Sequence, residues 1–269
     1  METQRWAQTQ LVQDLRQTIA RIEQGGAVRS AKTVLPFGHP ALDAVLPGGG
    51  LAWGALHEVA GAGPEIEHGA AATLFIAGIL ARGTGTVLWA VERHDLFAPG
   101  LAGAGLHPDR VIFVEAGRPT GVLLVLEEGL RHGGLAGVVG ELSGRLTLTA
   151  ARRLHLAAEA SGVVVLLLRR SRKHDDPALV EPSAAATRWR VAALPSPPAL
   201  AAFPGTPGLG PARWRLELLR CRGGEAASWI VEACDATGRL RVVAELADRP
   251  AAAPSAWAAT GSAAGHRRA

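Results

Sequence analysis

The sequence predicts an α/β fold: a mostly parallel sheet flanked by helices, with antiparallel hairpins at the C-terminal end and an amphipathic helix at the N-terminus. Three observations lead to this prediction. Short Val- and Leu-rich runs alternate with helical stretches in the middle of the chain, strand-like runs separated by turn signals follow, and apolar residues recur at helical spacing near the start. Near-continuous apolar strands between helices are typical of parallel strands buried on both faces.

The alternating region spans residues 56 to 168. Predicted strands cover residues 56–60, 86–91, 110–115, 135–140 and 163–168. Predicted helices cover residues 68–81, 94–104, 120–132 and 147–160. Because a helix lies between consecutive strands, we expect these strands to run parallel to one another.

The last third of the chain has a different pattern. Strand-like runs cover residues 187–194, 212–222, 228–234 and 239–246. Glycine-containing turns at residues 222–224 and 235–238 separate the last three runs, which predicts antiparallel hairpins. The segment 194–212 carries six prolines and is predicted to be an irregular loop.

The N-terminal segment is predicted to be an amphipathic helix that ends at Gly25 and Gly26. Its apolar stripe either packs on the rest of the chain or binds a partner. The candidate partner-binding residues on this stripe are Val12, Leu15, Ile19 and Ile22. We therefore divide the chain into a helix and basic linker (1–32), a core domain (33–249) and a low-complexity tail (250–269) that is predicted to be disordered.

Composition narrows the functional classes. No apolar run approaches the roughly 20 residues of a membrane span, and the start lacks a signal-peptide pattern, so we expect a cytoplasmic protein without membrane contact. Cys221 and Cys234 lack the partners of a zinc site or disulfide framework, and no metal is expected.

The net charge of +4 comes almost wholly from arginine. A basic surface fits nucleic acid or an acidic partner, and equally an arginine-rich codon bias.

A phosphate-binding loop is expected between the strand at 56–60 and the next helix, because strand, loop and helix follow in that order. The motif is Gly, four residues, then Gly-Lys-Ser/Thr. Counted from Gly63, these last positions hold His68, Gly69 and Ala70, and counting so that Gly69 is the second glycine again gives neither lysine nor hydroxyl. The degenerate loop begins at Gly61. We therefore expect no ATP hydrolysis and no cofactor.

Phosphate-binding sites of this kind also use acidic residues near strand ends, and this sequence has two candidates. Glu92 follows the strand at 86–91, where a carboxylate can polarise an attacking water. Glu141 follows the strand at 135–140, and Gly140 occupies the position of a magnesium-binding aspartate. Without the lysine and hydroxyl these carboxylates have no phosphate to serve, so a structural role is expected.

Several segments together resemble the ImuA family of RecA- and SulA-like proteins. They are GGGLAWGALHEV, GTVLWAVE, LAGVVGEL, RCRGG and WIVEACDATG, within residues 33 to 246. The resemblance implies a RecA-like core and a role in translesion synthesis beside an ImuB-like polymerase homologue and a DnaE2-type polymerase. It also implies contact with RecA for some members.

Four functional hypotheses follow. The first is a non-catalytic adaptor that binds those polymerases or RecA. The second is a single-stranded DNA-binding module, since basic residues cluster just after the strand at 163–168 and recur on the next strand. Its candidate residues are Arg169, Arg170, Arg172, Lys173, Arg188 and Arg190. The third is a DNA-stimulated ATPase with an aberrant loop and Glu92 as base, and the fourth is a SulA-like inhibitor of cell division.

Overall fold

The computed structural model describes residues 34–174, 176, 181–200 and 202–246. The strands are β1 (Val34–Leu35), β2 (Leu51–Ala52), β3 (Leu56–Gly61), β4 (Val87–Val91), β5 (Val111–Glu115), β6 (Gly137–Ser143), β7 (Val164–Arg170), β8 (Thr187–Leu194), β9 (Arg213–Cys221), β10 (Ala227–Glu232) and β11 (Arg241–Leu246). The helices are α1 (Pro40–Asp43), α2 (Glu65–Ala81), α3 (Ala98–Gly103), α4 (Pro119–His132) and α5 (Leu148–Ser161), with 3-10 turns at Pro47–Gly49 and Pro108–Arg110.

Nine strands form one sheet in the order β11-β10-β9-β8-β3-β7-β6-β4-β5. The strands from β8 to β5 in this order pair in parallel, whereas β8, β9, β10 and β11 pair antiparallel. The predicted α/β fold class, with antiparallel strands at the C-terminal end, is therefore confirmed. The predicted N-terminal helix, with Val12, Leu15, Ile19 and Ile22, and the predicted disordered tail lie outside the described residues.

Three of the predicted boundaries that differ from the structure concern charged residues. The strand predicted to end at residue 168 continues to Arg170, so that Arg169 and Arg170 lie inside β7 instead of after it. Glu141 lies inside β6 instead of following it. The helix predicted to begin at His68 begins at Glu65. In each case a charged side chain finds a partner on another element, which allows the strand or helix to extend through it.

Helices cover both faces of the parallel part of the sheet. Helix α2 packs against β3, β7 and β8 on one face, whereas α4 and α5 pack on the other. On the α2 face, Phe37, Phe75 and Trp189 form an aromatic cluster with ring centroids 5.4–5.8 Å apart. The described residues include no helix long and apolar enough to cross a membrane.

The turn after β10 packs directly on α2. A Cβ atom at Gly78 of α2 would lie 2.1 Å from the Sγ atom of Cys234, which leaves no room for any side chain there. The C-terminal hairpin is thus held close to α2, the helix that follows the predicted phosphate-binding loop.

A buried hydrogen-bond chain links β2 to β3 and β8. The ring nitrogens of His57 lie 2.9 Å from the carbonyl oxygen of Ala52 and 2.8 Å from Oγ1 of Thr187, which also accepts a hydrogen bond from the Trp189 indole. A carbonyl only accepts, so Nε2 of His57 carries the proton and Nδ1 accepts from the Thr187 hydroxyl. Burial lowers the pKa of His57 to about 4.

The low pKa of His57 predicts acid destabilisation. The unfolded chain binds a proton at this histidine near pH 6.5, and the folded chain does so only near pH 4. The contribution is therefore fully present above pH 6.5 and is lost as the pH falls from there towards 4. In urea titrations over this range, we expect His57→Gln to reduce the acid slope relative to the unsubstituted protein. The exposed His132→Gln is the control, and equal slopes for both variants would contradict the prediction.

Candidate functional site

The connection between β3 and α2 occupies the position of the predicted phosphate-binding loop. Only Ala62, Gly63 and Pro64 separate the strand from the helix. A loop that wraps its backbone N–H groups around phosphates needs more residues than this, because the motif places four between its two glycines. Gly61 is the last residue of β3, Gly63 lies in the connection, and the remaining degenerate loop positions lie in the first turns of α2: His68, Gly69 and Ala70.

The N-terminus of α2 is occupied by groups of the chain itself. The backbone N–H of Glu65 donates to the carbonyl oxygen of Ser171 at 2.8 Å, and the N–H of His68 donates to that of Pro64 at 3.2 Å. The carboxylate of Glu65 forms an ion pair with Arg170. A helix N-terminus normally attracts an anion, and here Glu65 and Glu67 place two carboxylates in the first helical turn.

Arg170 binds three carboxylates at once. Its Nη1 and Nη2 atoms each lie 2.8 Å from one oxygen of Asp95, and Nη1 lies 3.1 Å from Oε2 of Glu141. Glu65 is the third partner. These carboxylates come from the segment after β4, from β6 and from α2, so the guanidinium at the end of β7 connects four parts of the same edge of the sheet.

Glu141 is a buried member of this cluster. It is 2% exposed, and its Oε1 atom accepts a hydrogen bond from the indole of Trp89 at 2.8 Å. Burial raises the pKa of Glu141 above its usual value, whereas the hydrogen bond from Arg170 lowers the pKa of Asp95. The two carboxylates thus differ in their tendency to hold a proton although they share one cation.

Glu92, the candidate base, is bound to the segment after β6. One of its carboxylate oxygens accepts a hydrogen bond from the backbone N–H of Ser143 at 2.5 Å, and the other accepts from the Ser143 hydroxyl at 2.7 Å. Each oxygen therefore already has a donor within the protein. This arrangement joins the connections that follow β4 and β6.

Two adjoining clefts lie at this carboxyl edge, with volumes of about 460 and 330 Å³. Their charged lining has both signs, from Glu65, Glu92, Arg93, Asp95, Arg170, Arg172, Lys173 and Asp176. Within the described ranges, no three His, Cys, Asp or Glu side chains are arranged to hold a metal ion.

Most candidate DNA-binding residues are engaged in ion pairs. Arg169 and Arg188 lie 3.8 and 3.2 Å from the carboxylate of Glu58. Arg190 donates to both oxygens of Glu217, at 2.6 and 2.9 Å. Together with Arg170, four of the six candidates have carboxylate partners.

Arg172 and Lys173 are the two that remain. Both are exposed, and neither forms an ion pair with another residue that the structure describes. Sequence patterns had not pointed to Glu58 or Asp95 as site residues. For Asp95 a signal existed, since it follows a predicted parallel strand closely, as Glu92 does.

Comparisons with known proteins agree with this architecture. No protein-family model matches the chain. Protein ImuA of Caulobacter vibrioides, from strain NA1000 / CB15N and from strain ATCC 19089 / CIP 103742 / CB 15, is 44% identical over 239 residues, which is 85% of this chain and 96% of the relative.

Among solved structures, the crystal structure of the RadB recombinase matches with a TM-score of 0.55 at 17% identity, and the match covers 78% of this chain and 100% of that one. At this identity the likeness shows the RecA-like fold alone. The family follows from the sequence relatives, whose nearly complete length this chain spans: it belongs to the ImuA family.

Proposed function

We propose that the chain is a non-catalytic RecA-like adaptor in SOS-induced translesion DNA synthesis, which binds an ImuB-like polymerase homologue, a DnaE2-type polymerase and RecA. Membership of the ImuA family supports the cellular setting. The observation that carries the non-catalytic part is the three-residue connection between β3 and α2, which is closed by the ion pair of Glu65 and Arg170.

The charges of this edge argue against a triphosphate. A nucleotide site needs a lysine at the β and γ phosphates and a hydroxyl for magnesium. Here one guanidinium faces the carboxylates of Glu65, Asp95 and Glu141. Arg93 is a second cation, 3.7 Å from Asp95, so with all groups ionised two positive and three negative charges leave the cluster at −1. Both guanidiniums are thus engaged by carboxylates of the chain and are not free to hold a phosphate. The ATPase hypothesis also loses support from Glu92, since Ser143 engages both of its oxygens.

Single-stranded DNA binding is a second candidate with narrower support. Only Arg172 and Lys173 of its six candidate residues are exposed without an ion pair to another described residue. Two cations supply few of the phosphate contacts on which such binding depends. Inhibition of cell division in the manner of SulA stays a prediction that no contact in the structure favours.

The absence of nucleotide chemistry is directly measurable. We expect the purified full-length protein neither to bind ATP in equilibrium dialysis nor to hydrolyse it, with or without single-stranded DNA. ATP turnover that disappears in Glu92→Ala, but persists in the control Glu128→Ala on the exposed side of α4, would refute the proposal in favour of an ATPase.

Partner binding is the second test. The full-length chain is expected to form complexes with the purified ImuB-like protein, DnaE2-type polymerase or RecA of the same bacterium in analytical ultracentrifugation. The variant Leu15→Asp plus Ile19→Asp assigns or dismisses the N-terminal helix as one contact. If none of the three proteins associates with the chain, the adaptor role is wrong.

A structural role of the ion pairs around Arg170 predicts that substitution of Arg170 destabilises the protein far more than substitution of Arg172. Arg170→Met leaves three carboxylates without their cation and is expected to lower the free energy of unfolding by about 3 kcal/mol, because breaking a mostly buried ion pair strands its partners. Arg172→Met, two residues along and exposed, is expected to change it by no more than about 0.5 kcal/mol.

Urea unfolding of both arginine variants measures this difference. Adding Glu65→Gln to Arg170→Met removes one of the stranded charges and is expected to restore part of the loss. Equal midpoints for the two arginine variants would mean that the cluster does not hold the edge together.

A further inference from the structure

The most exposed large apolar side chains share one edge of the sheet. Ile66, Leu209, Phe97 and Phe203 are 95, 82, 74 and 68% exposed, the four highest values among the large apolar residues that the structure describes. Ile66 lies in the first turn of α2, which follows β3, and Phe97 lies in the segment after β4. Leu209 and Phe203 lie in the loop after β8. Because β3, β4 and β8 run parallel, all four belong to the carboxyl edge.

Specific contacts hold these segments near one another. Ile66 and Asp95 line the same 330 Å³ cleft, and Phe97 is two residues beyond Asp95, whose carboxylate is bound by Arg170. On the other side, the N–H of Ala193 at the end of β8 donates to Nδ1 of His68 in α2 at 3.2 Å. Four strand spacings separate β8 from β4, so the surface spans about 19 Å.

The loop after β8 presents its apolar residues from a fixed base. A β-bridge joins Pro198 to Leu209 and closes the loop near its origin. Phe203 projects between these two positions and adds little to the core. Single exposed apolar residues are ordinary on protein surfaces, whereas the location of the four most exposed ones at one edge of the sheet indicates an interaction site.

Positive charges stand among these apolar side chains. Arg172 and Arg93 line the cleft beside Ile66, and Lys173 lines the adjoining one. Arg172 and Lys173 have no carboxylate partner among the described residues. An occupant with carboxylates next to apolar side chains would complement this pattern.

We propose that the carboxyl edge is a docking surface for a partner protein, which binds it through a segment that carries apolar side chains flanked by carboxylates. This inference rests on the proposed adaptor function and assigns it a surface. A protein is favoured over nucleic acid because only two of the cations that line the two clefts, Arg172 and Lys173, lack a carboxylate partner among the described residues, and two cations supply few phosphate contacts. Two of the four apolar side chains, Ile66 and Leu209, are aliphatic and offer no face for base stacking. Glu65, Glu92 and Asp95 also line these clefts, but Arg170 and Ser143 bind their carboxylates, whereas Arg172 and Lys173 are left for an acidic partner.

The test compares two sets of exposed apolar residues in the full-length chain. The first variant combines Ile66→Ser, Phe97→Ser, Phe203→Ser and Leu209→Ser. The control combines Leu124→Ser on α4 with Leu156→Ser on α5, side chains that are 63 and 62% exposed on the outer surface of those helices. The probes are the purified ImuB-like protein, DnaE2-type polymerase and RecA of the same bacterium. We expect the first variant to raise the Kd of the binding partner by about 100-fold or more, and the control to leave it within about twofold.

A second, independent experiment changes the charged residues of the same surface. Arg172→Glu plus Lys173→Glu is expected to weaken binding and to reduce its dependence on salt, because attraction between opposite charges is lost. Circular dichroism and thermal midpoints check that each variant is folded. Since Ile66 is almost fully exposed, Ile66→Ser alone provides a folded variant if the combination of four does not fold.

Each remaining outcome overturns a defined statement. A chain that binds none of the three probes overturns the adaptor function and this surface with it. A chain that binds a probe equally well with and without the four substitutions overturns the surface alone. If the four substitutions abolish binding to a thymidine oligonucleotide but spare the protein partner, the edge binds nucleic acid and the assignment to a protein is wrong.

Discussion

The guanidinium of Arg170 is the contact on which the carboxyl edge of the sheet depends. Arg170 is the last residue of β7, and its guanidinium faces carboxylates from α2, from β6 and from the segment after β4. Without this cation, Glu65, Asp95 and Glu141 would repel one another in a region where Glu141 is almost wholly removed from water. Because the three carboxylates belong to a helix, a strand and a connecting segment, one side chain fixes the relative positions of segments that are far apart in the sequence.

Groups of the chain itself lie where a phosphate-binding site of this fold would hold its ligand. In a phosphate-binding site, an anionic ligand meets the N–H groups at the start of the helix. In this chain, Ser171 accepts a hydrogen bond from the Glu65 N–H, and the Glu65 carboxylate lies against Arg170. Both the N–H and the carboxylate of Glu65 therefore have partners within the protein. The exposed Ile66 and Phe97 lie beside the residues that complete this internal network.

The sequence predicted the order and type of the elements better than it predicted the site. Apolar periodicity located β8 to the residue and placed the parallel and antiparallel regions correctly, since burial on one or two faces leaves a direct pattern. The ends of β6 and β7 were missed because Glu141 and Arg169 are charged, and burial of a charge is favourable only beside a partner from another element. The pairing of Arg190 with Glu217 likewise follows from strand register, which periodicity alone does not contain.

Because Cys234 packs closely against Gly78, the reactivity of its thiol reports whether the C-terminal hairpin is in contact with α2. Burial raises the pKa of the Cys234 thiol to about 12, so that at neutral pH the sulfur is protonated and enclosed against α2. Alkylating reagents attack the thiolate, and they need access to it. Labelling of this partly buried cysteine would therefore be slower than labelling of an exposed thiol, and it would speed up whenever the turn moves away from the helix. The labelling rate thus reports local opening of this turn, because the absence of a side chain at Gly78 lets the sulfur pack against the helix.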